Sequence, residues 1–257
     1  MEPRIHSAHH DSLLETEILI RGAGEIASAV GHRLWRTGIR RIVMTEIETP
    51  IAVRRKVSFS EAVYDGTSVV EEVKAVLATT VTDVRKIWTA GNIAVIVDPR
   101  CNCRLELQPD IIIDAVLAKK NTGVRLTDAK FILALGPGFI AGEDCHCLVE
   151  TERGHDLGRL ITSGPTSVNT GLPGNIMGQT HNRVLRAPVD GIFESFREIG
   201  DLIEKGTIVG SIHRVPVEAR ISGVLRGLLR PGIWVKNYTK VGDVDPRSHP
   251  DNCFTIS

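Results

Sequence analysis

Four of the five cysteines occur as two closely spaced pairs, in the strings CNC at 101–103 and CHC at 145–147. Side chains two positions apart on a strand share one face, so extended segments would present Cys101 with Cys103, and Cys145 with Cys147. Four thiolates brought close would suit a soft metal ion or a sulfur-family element. We predict these four residues as a site for such a metal or element. The alternative is four unconnected, partly buried thiols, a common state of free cysteine.

The residues around the first pair add an acid and two cations. Asp98 follows a predicted strand, and Arg100 and Arg104 flank the two thiols. Cations beside a thiol lower its pKa and favour the thiolate. We therefore predict Asp98, Cys101 and Cys103 as the catalytic residues.

A glycine-rich turn, GAGEIA at 22–27, lies between a predicted strand and a predicted helix. In such a turn Gly22, Gly24 and Ala27 allow the backbone to approach a pyrophosphate at the helix N-terminus. Glu46 ends the next predicted strand and could accept the ribose hydroxyls. The pattern predicts a nucleotide such as NAD(P). A tight turn that binds no nucleotide is the alternative, since Glu25 in the first helical turn would repel phosphate unless it points away.

Two further pairs complete the predicted cofactor-binding residues. Arg54 and Arg55 follow the second strand, and arginine pairs clamp phosphates or carboxylates. A solvated surface is the alternative for this pair. Gly136 and Gly138 follow the predicted strand 131–135, at the sheet edge where α/β proteins bind ligands, and glycine permits close approach there.

Composition excludes several classes of protein. The 257 residues include 31 Lys+Arg and 31 Asp+Glu, so no charge surplus favours nucleic acid or an anionic membrane as partner. The longest apolar runs are far shorter than the roughly 18–20 residues of a membrane span. The N-terminus lacks the apolar core of a signal peptide, so we expect a cytoplasmic protein with reduced thiols, and a homo-oligomer is left open.

Strands that alternate with helices predict an α/β fold with a Rossmann-like, mostly parallel sheet over 17–150. The predicted strands are 18–20, 41–45, 73–77, 93–97, 111–114 and 131–135, and the predicted helices include 26–34, 81–88 and a short one near 115–120. Residues 1–16, with His6, His9 and His10, are predicted to be a flexible tail rather than a metal tract. Residues 151–183 are predicted to be an irregular connection, and 248–257 a tail.

An internal repeat occupies 184–247. Gly191, Gly200 and Gly210 return 32 positions later as Gly223, Gly232 and Gly242, and the apolar residues between them match in kind. Short strands separated by glycine turns and given twice predict a small two-fold β domain.

This repeat resembles the barrel-sandwich hybrid of biotinyl and lipoyl carrier domains. The string APVDG at 187–191 and the string GDLIEKG at 200–206 carry the resemblance in the first half. Carrier domains present a lysine on the hairpin between the halves, whereas this hairpin reads IHRVPVEAR and has none. The resemblance therefore implies a docking or structural module, without biotin or lipoate.

Three long segments, at 22–66, 97–123 and 134–161, resemble the YqeB-type selenium-dependent molybdenum hydroxylase system proteins, which are loosely related to the XdhC/CoxI accessory proteins. The paired cysteines of that family's DPR-centred motif match Cys101 and Cys103. The resemblance implies an accessory factor that matures a molybdenum hydroxylase, with selenium at the thiols and molybdopterin dinucleotide or another nucleotide at the glycine turn. It implies a pathway and does not identify a reaction.

Two other functions remain open at this point. A free-standing NAD(P)-dependent oxidoreductase would need a proton donor beside the cofactor, and neither Tyr64 nor Tyr238 has the lysine four positions on that such a relay uses. A non-catalytic binding module would instead use the β repeat to dock a partner.

Overall fold

The computed structural model describes residues 13–257, and contacts between residues divide the chain into two units. The first unit comprises the described residues up to Glu48 together with Phe59–Asn169. Its strands are β1 (Ile18–Arg21), β2 (Ile42–Glu46), β3 (Thr67–Val70), β4 (Val73–Ala78), β5 (Ile93–Val97), β6 (Ile111–Asp114), β7 (Phe131–Leu135), β8 (Cys147–Val149) and β9 (Leu160–Ile161).

These strands form one nine-stranded sheet in the order β3-β4-β5-β2-β1-β6-β7-β8-β9. All neighbours pair in parallel except β3 with β4 and β8 with β9, which form the antiparallel edges. The predicted mixed α/β fold with a mostly parallel sheet is confirmed. The strands β1 and β5 are nearly continuous buried apolar runs, as parallel strands covered on both faces require.

Four α-helices that lie entirely within the described residues accompany the sheet: α1 (Glu25–Arg36), α2 (Ala62–Asp65), α3 (Val81–Thr89) and α4 (Arg104–Leu107). The helix α3 begins at Thr80, whose hydroxyl accepts a hydrogen bond from the Asp83 amide. The helix predicted near 115–120 was wrong: Leu117 and Lys119 adopt φ values of 56° and 61°, which a right-handed helix cannot contain. Among residues 13–257, no helix is long and apolar enough to span a membrane.

The second unit comprises Thr49–Ser58 and Thr170–Ser257. Its strands are β10 (Val184–Arg186), β11 (Gly191–Ser195), β12 (Leu202–Ile203), β13 (Ile208–Ile212), β14 (Val215–Glu218), β15 (Gly223–Leu228), β16 (Trp234–Val235) and β17 (Lys240–Asp245). They form two four-stranded antiparallel sheets, ordered β10-β17-β15-β12 and β14-β13-β11-β16.

The sequence repeat corresponds to a repeat of strands in this unit. The strands β11, β12 and β13 begin at positions 191, 202 and 208, and β15, β16 and β17 begin 32 positions later. Each sheet takes two strands from each repeat, so neither half can complete a sheet alone. The hairpin between β13 and β14 is a two-residue turn at His213 and Arg214, both with positive φ as a type I′ turn requires.

The units cut across some of the predicted domain limits. Residues 49–58, predicted within the Rossmann-like part, group with the second unit, where the Leu228 amide donates to the Val53 carbonyl. Of the predicted tail at 1–16, residues 1–12, with His6, His9 and His10, lie outside the described residues. Leu14 lies close to Gly38, because a Cβ atom built on Gly38 would come within 2.8 Å of Leu14 Cδ2. At the other end, Cys253 is buried within a short 3-10 helix.

Candidate functional site

The first thiol pair lies in a tight turn between β5 and α4, and not on a strand as predicted. The Asp98 carboxylate accepts a hydrogen bond from the Cys103 amide at 2.7 Å, and the Asp98 carbonyl accepts one from the Cys101 amide at 3.0 Å. Cys101 adopts φ 57°, a strained left-handed conformation for a residue with a side chain. Asp98 therefore organises the turn that carries both thiols, and a turn takes the place of the predicted extended segment.

The two thiols of this turn differ in acidity. A hydrogen bond from the Cys103 thiol lowers the pKa of Cys101, opposed by burial and assisted by the charges of Arg21 and Arg104. The pKa of Cys103 is raised, because its S–H is held in that hydrogen bond, because it is buried, and because Asp98 faces it. Cys101 is thus the more acidic thiol of the pair, and Cys103 the one that donates to it.

A small cavity of about 30 Å³ lies against Cys101. Three arginines line it, namely Arg21, Arg100 and Arg104. A space of this volume holds about one water-sized species. A thiolate sulfur beside guanidinium groups in so small a space suits a small anion, or a single sulfur or selenium atom bound to the sulfur itself.

The cavity lies at the carboxyl edge of the central strands. Arg21 is the last residue of β1 and Asp114 the last of β6; their side chains form a buried ion pair at 2.6 Å. The strand β1 has β2 on one side and β6 on the other, so the strand order reverses between β1 and β6. Ligands of open α/β sheets bind at that point. Arg104 is held by Asp128 at 3.3 Å.

The second thiol pair is part of the packing. Cys145 is fully buried, and burial raises its pKa to about 11. Cys147 begins β8 and is also buried. Between them, His146 Nδ1 accepts a hydrogen bond from the Ile132 amide, and its ring stacks on Phe131.

The predicted site of four thiolates is not formed. In the part of the chain that the structure describes, one group of three or more Cys, His, Asp or Glu side chains has its ligating atoms within 4.8 Å of one another, and it contains no cysteine. The reason is local: Cys101 and Cys103 are brought together by a turn, whereas Cys147 is fixed by the β7–β8 pairing and Cys145 by an isolated bridge to Ala141. Only the first pair keeps the predicted chemistry.

The glycine turn has the predicted form, and Glu46 acts on it directly. Gly22 adopts φ 91° and lies close to the Ala115 carbonyl, and Gly24 precedes α1 with open space where a Cβ would stand. One Glu46 oxygen accepts from the Ala23 amide at 3.1 Å and the other from the Ile47 amide at 2.7 Å. Burial raises the pKa of Glu46, and these two hydrogen bonds oppose the rise. One amide of the turn is therefore already bound to Glu46.

The other predicted cofactor residues serve the protein's own packing. Arg54 is buried in the second unit, where its guanidinium donates to the carbonyls of Asn252 and Thr255 at 2.9 and 3.1 Å. Arg55 pairs with Glu198 at 3.2 Å. These contacts correct the prediction of a phosphate clamp, because the chain's own carbonyls and carboxylate take the place of the anion.

Gly136 and Gly138 do permit close approach, but by the chain itself. A Cβ on Gly138, at φ 110°, would lie 2.3 Å from the Lys120 amide nitrogen, and one on Gly136 would lie 2.7 Å from Thr151 Oγ1. The segment before Lys120 occupies the space that was predicted for a ligand.

Sequence reasoning gave no role to the Arg21–Asp114 pair. The signal was present, because an arginine and an aspartate end the strings ILIR and IIID, two buried strands that are otherwise entirely apolar. A charged residue at the carboxyl end of such a strand lies at the ligand-binding edge of the sheet.

Comparisons with known proteins give one sequence relative and weak structural likenesses. No protein-family model matches the chain. "Uncharacterized protein YqeB" of Escherichia coli (strain K12) is 45% identical over 240 residues, which cover 93% of this chain and 44% of that protein. The chain thus spans less than half the length of this relative. Its similarity to YqeB agrees with the resemblance found in the sequence.

The solved structures that match share little with the chain. TcdA (CsdL) is 15% identical and covers 52% of this chain and 54% of its own, with a TM-score of 0.32. An aspartoacylase family protein from Mesorhizobium loti is 15% identical, covers 90% of this chain and 85% of its own, and has a TM-score of 0.29. Scores this low carry no argument about function.

Proposed function

We propose that this chain is an accessory factor that matures a selenium-dependent molybdenum hydroxylase, and that Cys101 carries the sulfur or selenium. One observation carries the proposal: Cys101, whose pKa is lowered by Cys103, lines a cavity of about 30 Å³ together with three arginines. A thiolate is the nucleophile of sulfur chemistry, so the more acidic thiol of the pair is the one we expect to react.

The transfer that these residues support is an exchange between sulfurs. The Cys101 thiolate attacks the terminal sulfur of a donor persulfide, R–S–SH. The donor's S–S bond breaks as the new S–S bond forms, the donor leaves as R–S⁻, and Cys101 becomes a persulfide without net oxidation. Selenium in the terminal position would follow the same course. Arg21 and Arg104 stabilise the negative charge throughout, and Cys103 keeps its S–H directed at the reacting sulfur.

The glycine turn supplies the proposed nucleotide site, for NAD(P) or molybdopterin dinucleotide. The fit is partial. The open space beside Gly24 and the N-terminus of α1 would accept a phosphate, while the Ala23 amide is already bound to Glu46. Titration of the chain with NADH and NADPH, followed by tryptophan fluorescence, tests this part. Tight binding with hydride transfer to a carbonyl substrate would favour the oxidoreductase function instead.

The second unit is proposed as a docking module of the barrel-sandwich type. Two observations support the proposal: each sheet takes strands from both repeats, and a hairpin with His213 and Arg214 at its tip connects the two repeats. Deletion of residues 184–257 is expected to abolish binding to the partner hydroxylase. Undiminished binding by the shortened chain would contradict a docking role, provided circular dichroism shows that the first unit remains folded.

The main test uses the chain in its own cells, with hydroxylase activity measured in extracts of cells supplied with selenium and molybdate. We expect Cys101→Ser to abolish this activity without lowering the amount of soluble chain. Cys145→Ala removes an equally buried thiol from the packing and is expected to retain activity. Full hydroxylase activity when both Cys101 and Cys103 are replaced would overturn the proposal.

A further inference from the structure

A buried histidine of α1 faces two carboxylates on the first unit's edge hairpin. His32 is 3% exposed, and its Nε2 lies 3.3 Å from Glu71 Oε2 and 3.9 Å from Glu72 Oε2. Glu71 and Glu72 form the two-residue turn between β3 and β4, where Val70 pairs with Val73. The three ligating atoms lie within 4.8 Å of one another, which no other group of three or more such side chains does in residues 13–257.

Neither ring nitrogen of His32 has a hydrogen-bond partner in the part of the chain that is described. The Nε2 atom approaches Glu71 without hydrogen-bond geometry. A buried polar atom without a partner is costly and calls for an explanation. A cation between the three atoms would give the buried imidazole nitrogen a partner and would balance the charge of the two carboxylates.

We propose that His32, Glu71 and Glu72 bind a divalent transition metal, with Zn²⁺ as the best match. Tetrahedral zinc with bonds of about 2.0–2.2 Å separates its ligand atoms by roughly 3.4 Å, close to the distances found here. An imidazole nitrogen with carboxylate oxygens suits zinc and its neighbours better than magnesium or calcium. Three protein ligands leave a fourth position for water.

The surroundings support the two carboxylates as ligands. Arg36, one turn after His32 on α1, pairs with Glu72 Oε1 and leaves Oε2 directed at His32. Ligating carboxylates are commonly held in this way by an outer partner. Glu72 is 48% exposed at its side chain, so a metal ion could enter from solvent. The metal would join α1 to the β3–β4 hairpin, and its ligands are separate from the Cys101 cavity.

The test uses the chelator-treated full chain carrying Cys101→Ser and Cys103→Ser, so that this thiol pair cannot bind the metal. Zn²⁺ affinity is measured by calorimetry, and Co²⁺ serves as a spectroscopic probe of tetrahedral geometry. We expect one Zn²⁺ per chain. The double variant Glu71→Gln/Glu72→Gln should weaken binding by roughly 100-fold or more, since outer partners alone are worth about 10–100-fold.

A matched control removes the same charge from exposed carboxylates elsewhere on the unit. Glu143→Gln/Glu152→Gln should leave the affinity unchanged. Because Glu71 and Glu72 lie in a surface turn, their variant is expected to fold, and His32→Gln provides a second test if circular dichroism shows that it does too. Zinc binding that is absent from the parent chain, or equally tight in the Glu71→Gln/Glu72→Gln variant, would overturn the proposal.

Discussion

The hydrogen bond from one neighbouring thiol is the largest contribution to the acidity of Cys101, so Cys103→Ala should change its pKa markedly. The hydrogen bond from Cys103 is the largest cause of the lowered pKa of Cys101. A hydrogen bond to a charged group contributes about 1.5–3 kcal/mol. At 1.36 kcal/mol per pKa unit, its loss should raise the pKa of Cys101 by about one to two units. Cys103→Ser keeps a hydroxyl donor, so we expect a smaller rise.

The assay is the thiolate absorbance of the folded chain as a function of pH. Subtracting the titration of Cys101→Ala isolates Cys101 from the other thiols. Cys147→Ala is the matched control, because Cys147 is buried in the strand β8 and should leave the Cys101 midpoint unchanged. The reasoning is refuted if Cys101 titrates near the ordinary thiol value of about 8.5, or if Cys103→Ala does not move the midpoint.

Three further predictions concern stability, measured as the free energy of unfolding in urea. Arg21→Met should lower the free energy of unfolding by about 3–5 kcal/mol, because it leaves the buried Asp114 carboxylate without its ion-pair partner. The double variant Arg21→Met/Asp114→Leu should recover most of that stability. A double variant no more stable than Arg21→Met would contradict this prediction. Gly138→Ala should cost about 1–3 kcal/mol more than Gly142→Ala, since both have positive φ but only the first has backbone in the way; equal costs would refute the contact. Hydrogen bonds from Lys130 and from the Glu17 amide lower the pKa of the partly exposed Asp110 below its unfolded value. Asp110 should therefore contribute under about 1 kcal/mol to stability above pH ~4, and this contribution should be lost as the pH falls through the folded pKa. A stability advantage of the wild type over Asp110→Asn that grows as the pH falls would contradict this sign.

The fold of the first unit was largely predictable because its parallel strands are covered on both faces. Such strands must be continuous apolar runs, and 18–20, 93–97 and 111–114 are runs of this kind. The strands β3, β8 and β9, at the two ends of the sheet, were missed because they are short. In β3 and β9, exposed positions also interrupt the apolar pattern, so the sequence does not distinguish these strands from loops. The repeat of the second unit was predictable from its glycine spacing. That each sheet combines strands of both repeats was not predictable, because the spacing of a repeat does not show which strands pair.

In the candidate site, too, the residues that could be predicted are those that lie close together in the sequence. Asp98, Cys101 and Cys103 are close in sequence, so a local turn was enough to gather them. Arg54 was misassigned because its partners Asn252 and Thr255 lie about 200 positions away, beyond any local pattern. His32 was missed because a single histidine among the residues of a helix gives no signal until the hairpin that carries Glu71 is placed beside it.

Transfer of one sulfur atom to Cys101 tests the central claim most directly. The reduced full chain is incubated with glutathione persulfide and analysed by intact and peptide mass spectrometry. We expect one added sulfur atom on Cys101 in the wild type and in Cys145→Ala, and none in Cys101→Ser. A wild-type chain that gains no sulfur, or a Cys101→Ser chain that gains as much as the wild type, would contradict it.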